Sequence, residues 1–182
     1  MKSITTYINE ALKLGNNKSR HKYFPKTKEE LTDLLNQLIK ERGYDGDFND
    51  IDTSEITDMS FLFFKLKNFN GDISKWNVSN VTDMHNMFDS CTAFNQPLND
   101  WDVSNVTNMD HMFFDCPSFN QPLNDWNVSN IKDISYMFQY CKSFNQDLSD
   151  WDLSNAKAWY MFKNCPIEEK YKPKEFQLPK FK

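Results

Sequence analysis

Glycine is scarce in this chain. Only four of 182 residues are glycine, Gly15, Gly43, Gly46 and Gly71. None stands in a Walker or dinucleotide-binding pattern, which excludes those routes to nucleotide binding. Glutamate is absent from the long middle of the chain, between Glu55 and Glu168. No set of nucleophile, base and orienting group can be assembled there, so we assign no catalytic residue and expect no enzyme. Long apolar runs are missing too. The first fourteen residues scatter charge and polarity, which leaves neither a signal peptide nor a membrane span. A soluble, cytoplasmic protein is expected. Cys91, Cys116, Cys141 and Cys165 form an even set, but in a chain of this size without an export signal reduced thiols are the better reading. Of three histidines, His85 and His111 lie near Asp83, Asp110 and Asp133, yet they are one position out of phase and do not converge as metal ligands should. We expect no metal and no cofactor.

What is present is a repeat. Phe69, Phe94, Phe119 and Phe144 recur every 25 residues, as do Trp76, Trp101, Trp126 and Trp151. Met87, Met112 and Met137 keep the same step, and so do Cys91, Cys116 and Cys141. An earlier degenerate copy places Ile51, Ile56, Met59, Leu62 and Phe63 in the columns of Trp76, Val81, Met84, Met87 and Phe88. Five coils follow, roughly 44–68, 69–93, 94–118, 119–143 and 144–167. A fixed period of this length marks a stacked architecture, in which no unit can bury its apolar side alone.

Within a coil, Trp101-Asp102-Val103 alternates as a strand does, whereas Met109, Met112, Phe113 and Cys116 recur at the spacing of a helical stripe. The spacing predicts a short strand, a turn and a short helix per coil, with Thr82 and Thr107 as helix N-caps and the strands paired in parallel. The fold class expected is an α/β solenoid of five short strand–helix repeats with an N-terminal helical cap. Residues 1–43 form that cap: Ile4, Tyr7, Ile8, Ala11 and Leu12 mark one amphipathic helix, and Leu31, Leu34, Leu35, Leu38 and Ile39 a second. Thr27 and Glu30 supply a capping box, and Gly43 suits the C-terminal end. Residues 168–182 form a tail rich in Lys and Pro, extended rather than helical, which either folds Phe176, Leu178 and Phe181 over the last coil or stays loose.

The block from Phe94 to Met109, Phe-Asn-Gln-Pro-Leu-Asn-Asp-Trp-Asp-Val-Ser-Asn-Val-Thr-Asn-Met, followed by Met112, Phe113 and Cys116, resembles the repeat of BspA-like leucine-rich-repeat proteins. The resemblance covers roughly 44–167, and the lead-in from Pro25 to Ser54 looks like that family's N-terminal segment. It implies a right-handed, leucine-rich-repeat-like coil. It also implies a binding role, since such proteins are often surface adhesins.

Charge divides by segment. Residues 1–43 carry nine Lys/Arg against five Asp/Glu, net +4; residues 44–167 carry seven against eighteen, net −11; residues 168–182 carry five against three, net +2. Acidic coils disfavour direct nucleic-acid binding and favour a protein partner with a basic surface. The Trp and Cys columns read as interior packing. Asn77, Asp102, Asn127 and Asp152 are short polar residues able to form amide ladders. The helix-face columns vary from coil to coil, and five large aromatics there, Phe114, Tyr136, Tyr140, Trp159 and Tyr160, are the candidate partner-binding residues. A non-enzymatic protein-interaction module is the leading expectation. The alternatives are an intracellular inhibitor or decoy that blocks an enzyme or a nucleic-acid-binding protein by its acidic surface, nucleic-acid mimicry being one form of this, and a carbohydrate-binding or adhesive surface module.

Overall fold

The computed structural model describes residues 21–177. The amphipathic segment expected between Ile4 and Leu12, and the tail residues Leu178 and Phe181, lie outside them. The helix expected before Gly43 forms as α1 (Lys28–Arg42). Thr27 Oγ1 accepts from the Glu30 amide at 3.3 Å, and Gly43, at φ 80°, donates its N–H to the Ile39 carbonyl. Glu29 and Glu30 in the first turn and Lys40 and Arg42 in the last oppose the helix dipole. Glu30 departs from a capping box in one respect: its carboxylate accepts from Lys26 N at 2.9 Å instead of from Thr27. Leu31, Leu34, Leu35 and Leu38 are buried in one cluster with the coils. Polar contacts fasten α1 to the first coil, Lys28 to Asp58 and Ser60, and Arg42 to Asp50 at 2.8 and 3.0 Å.

Beyond α1 the expected alternation of strand and helix is not what the chain adopts. Among the described residues α1 is the one α-helix, and there is no sheet. Parallel pairing is limited to isolated bridges such as Asp58 with Asp83, Asp83 with Asn108 and Asn108 with Asp133. The α/β class and its five leucine-rich-repeat-like strand–helix repeats are therefore corrected: the coils are built of turns.

The run 84–91 shows why. Met87, Asp89 and Cys91 donate to the carbonyls three residues back, while Met84, Asn86, Phe88 and Ser90 donate to Asn108, Asp110, Met112 and Phe114 of the next coil. An α-helix would keep all of these bonds within the run. Here alternate amides leave the coil, and Asn86 and Ser90 adopt φ of 55° and 61° to turn the chain between them. Such a series still sends Met84, Met87, Phe88 and Cys91 inward, the same set as a helical stripe.

The strands fail for a related reason. After each Trp an Asx side chain folds back: Asn77 Oδ1 accepts from Ser79 N, Asp102 from Ser104, Asn127 from Ser129 and Asp152 from Ser154, at 3.1–3.2 Å. These residues make turns and not the ladders expected of them. Other positions join the coils. Asn80, Asn105 and Asn130 donate from Nδ2 to the carbonyls of Ser54, Ser79 and Ser104 at 2.7–2.8 Å. The amides of Asn95, Asn120 and Asn145 donate to the Asn Oδ1 one coil earlier, and the series ends where Asn145 accepts from Glu168 N. Thr82 and Thr107 are not N-caps; their hydroxyls donate to the carbonyls of Thr57 and Thr82.

The interior is aromatic and continuous. Phe63, Phe88, Phe113, Phe138 and Phe162 stack at 5.3–5.9 Å between centroids, beside a second column of Phe69, Phe94, Phe119 and Phe144 at 5.9–6.0 Å. Burying one such ring is worth about 2 kcal/mol. The indole N–H groups of Trp76, Trp101, Trp126 and Trp151 each donate to a carbonyl 28 residues back, as Trp126 does to Leu98 at 2.9 Å. The Cys91, Cys116 and Cys141 thiols donate over the same separation, to Phe63, Phe88 and Phe113. At the far end the tail is only partly extended, at residues such as Glu168, Lys172 and Gln177. It makes two 3-10 turns, Glu169–Tyr171 and Lys174–Phe176, Leu148 N donates to Tyr171 O at 2.8 Å, and Phe176 meets Phe162 edge-on at 5.3 Å. No helix among the described residues is long and apolar enough to cross a membrane.

Candidate functional site

Each coil turns two sharp corners, at Phe61, Asn86, His111, Tyr136 and Tyr160 in one column and Lys65, Ser90, Asp115, Tyr140 and Asn164 in the other, all with φ between 51° and 66°. No corner side chain is buried. Asn, Asp and His tolerate this left-handed region; a bulky side chain does so at a cost of about 1–2 kcal/mol. Three of the five predicted partner-binding residues, Tyr136, Tyr140 and Tyr160, occupy such corners.

Four of the five come together in one strip. Phe114 meets Tyr140 at 5.6 Å and His111 at 5.1 Å; His111 stacks on Tyr136 at 4.5 Å, and Tyr136 on Tyr160 at 5.7 Å. Tyr160 is 62% exposed, and Phe114, Tyr136 and Tyr140 are partly so. Trp159, 63% exposed, makes no ring contact with them; its carbonyl accepts from Tyr136 N. Two features of the strip escaped sequence reasoning. His111 is its connecting ring, and lysines stand over its members: Lys142 over Tyr140 at 5.4 Å and Lys163 over Tyr160 at 5.1 Å, with Lys157 over Trp159 at 6.0 Å. Each lies within three residues of its ring, a proximity the sequence displays. Phe61, 45% exposed, forms a separate group with Phe64 and His85.

Charge is segregated about the core. The turn runs 57–68, 82–93, 107–118, 132–143 and 157–167 hold six Asp and six Lys, net zero. The rest of the coils holds twelve acidic residues against Lys75, and so carries the whole net −11. Both parts contribute rings to the one core, where Phe63 of a turn run packs against Trp76 of the other part at 5.9 Å. On the acidic side the Ser104 and Ser154 hydroxyls and amides hold the Asp102 and Asp152 carboxyls below the usual carboxylate value.

The other candidates disperse. Trp76, Trp101, Trp126 and Trp151 are 3–4% exposed, which leaves no indole face in that column for a sugar or base. Burial pushes the Cys91 thiol up to about 12 and Cys165 to about 11, and raises Cys116 and Cys141 as well, so the thiolates needed for reactivity are suppressed. His85 Nδ1 lies 2.7 Å from Asp83, and His111 Nδ1 lies 2.9 Å from Asp110, there out of hydrogen-bond alignment. No three potential metal ligands stand together among the described residues.

A sequence profile described as "Mycoplasma protein of unknown function, DUF285" matches residues 32–127 and 93–172. No curated protein and no solved structure matches the chain.

Proposed function

The chain belongs to the DUF285 family, and we propose that it is a non-enzymatic protein-interaction module that docks through the aromatic strip of its turn face. The observation that carries this reading is the set of Tyr136, Tyr140 and Tyr160 at neighbouring left-handed corners, where the second and third coils place Asn86, Ser90, His111 and Asp115 and the first places Phe61 and Lys65. Backbone strain of this kind concentrates at binding sites. Tyr and Trp are also the side chains interface centres favour, each presenting a large apolar body with a polar tip. The carboxylates of the far side steer encounter with a partner that bears a basic surface. A cytoplasmic setting suits four thiols that form no disulfide.

The test uses wild type and a Tyr136→Ala/Tyr140→Ala variant as paired baits, with near-ultraviolet circular dichroism to establish that both are folded. A stoichiometric partner held by wild type and lost by the variant supports the strip; equal retention overturns it. A second reading, an inhibitor or decoy that offers its acidic side to a nucleic-acid-binding protein, draws on the confinement of the net −11 away from the strip. Under that reading the variant keeps its partner, and DNA and salt displace it.

A further inference from the structure

Five lysines outside the turn runs are held by carboxylates. Lys22, Lys26 and Lys28 pair with Asp50, Glu55 and Asp58, and Lys170 and Lys172 with Glu168 and Glu169. Lys142, Lys157 and Lys163 have no carboxylate partner among the described residues, although the coils hold eighteen acidic residues. Each instead holds its ammonium over a ring of the turn face. We infer that the turn face of the last two coils receives a short acidic segment of a partner protein, its carboxylates meeting Lys142, Lys157 and Lys163 and its apolar side chains resting on Tyr140 and Tyr160. This rests on the docking role proposed above and specifies what the strip takes.

Two observations favour a protein segment over a nucleic acid. The rings of Tyr136 and His111 are stacked, and so is Tyr136 on Tyr160, so much of what they present outward is ring edge. Edges carry the positive part of the aromatic quadrupole and attract a carboxylate, whereas base stacking needs open faces. The basic stretch is also short. The neighbouring turn runs 82–93 and 107–118 hold four Asp and no Lys. With coils stacked at strand-like distances of about 5 Å, Asp110 and Asp115 lie one coil from Lys142 and two from Lys157 and Lys163, close to one Debye length of about 10 Å, and Asp83 and Asp89 lie one coil further on. A long polyanion would cross all four carboxylates, whereas a short acidic segment over the last two coils stops before them. The partner's basic surface then lies outside this segment, toward the acidic remainder of the coils.

The experiment measures fluorescence anisotropy of a labelled Glu/Phe/Leu peptide on the full chain, beside its Lys-for-Glu counterpart, labelled oligo(dT) and phosphatidylserine vesicles. Saturable binding of the acidic peptide, at least tenfold weaker in Lys142→Gln/Lys157→Gln/Lys163→Gln and absent for the Lys-for-Glu peptide, is the expected result. Equal binding to the triple variant overturns the inference, and so does preference for oligo(dT) or vesicles. If a native partner is lost by the Tyr136/Tyr140 variant but kept by the lysine variant, the docking face stands and its acidic specificity fails. If both variants keep it, both readings fail.

Discussion

The ring of Phe48 fills the space beside Gly71 so closely that a Cβ on that glycine would lie 2.3 Å from Phe48 Cε2. In later coils the same position holds Gln96, Gln121 and Gln146, whose amides donate to the Asn carbonyl one coil earlier, while the column of Phe48 holds Ile73, Leu98 and Leu123. The junction of the first two coils thus exchanges a polar tie for a larger buried ring. Gly71→Ala is expected to destabilise by about 1–3 kcal/mol, the usual cost of overpacking. Phe48→Leu in the same chain should recover part of that loss. Urea unfolding of both variants decides the matter; additive losses would show that the two positions are not coupled.

The corner at Tyr136 separates stability from binding. Asn relieves part of a left-handed cost of about 1–2 kcal/mol, while loss of the His111 and Tyr160 stacking costs about 0.5–1.5 kcal/mol. Tyr136→Asn should therefore unfold within about 1 kcal/mol of wild type, whereas Tyr136→Val, β-branched in the same conformation, should be less stable than the Asn variant by about 1–2 kcal/mol. Equal stability of the two variants in urea would remove the claim of backbone strain.

Acid should loosen the junction of α1 with the first coil. Burial alone would raise the Asp50 carboxyl, but hydrogen bonds and charge from Arg42, then Lys22, outweigh it and hold Asp50 below its ordinary 3.8. A depressed carboxylate contributes stability that is present above the unfolded value and is lost as pH falls through the folded one. Below about pH 4, wild type should lose on the order of 1 kcal/mol that Asp50→Asn lacks at every pH. Thermal melts of the two proteins from pH 6 to pH 2.5 should converge; parallel curves would show that Asp50 is not the group responsible.

The thiols should be silent in the folded protein. Cys91, Cys116 and Cys141 are fully buried and donate to backbone carbonyls, and desolvation raises all three. Iodoacetamide at pH 8 should leave them unmodified until denaturant is added, with Cys165, which is partly exposed, reacting first. Mass spectrometry of the native protein reads this directly, and prompt labelling of Cys116 would contradict the core.

Much of this was legible because a strict period exposes columns. The interior Trp, Phe, Met and Cys positions follow from it, and α1 is announced by Thr27, its leucine stripe and Gly43. The turn runs were not legible as such. Met109, Met112, Phe113 and Cys116 face inward whether the backbone is helical or turns at every fourth residue, so spacing cannot separate the two. The available signal was chemical: Asn86 and Ser90, or His111 and Asp115, four apart in the stretches 84–91 and 109–116 that hold no Ala, Leu or Glu, are turn formers standing where a helix would want helix formers. The aromatic corners were chosen for their exposure and variability. That Phe114 and His111 would join them into a strip depended on neighbours in three different coils, which one coil read alone does not supply.

The asparagine and turn-run bonds that join one coil to the next have a mechanical consequence. Because each coil is tied chiefly to its neighbours, a force applied to the two termini would load the end coil first and leave the others bonded. Each coil that detaches would release a full repeat of chain, roughly 85 Å when drawn straight, so extension would proceed as a staircase of nearly equal rises, in which the height of a step counts residues and the number of steps counts coils.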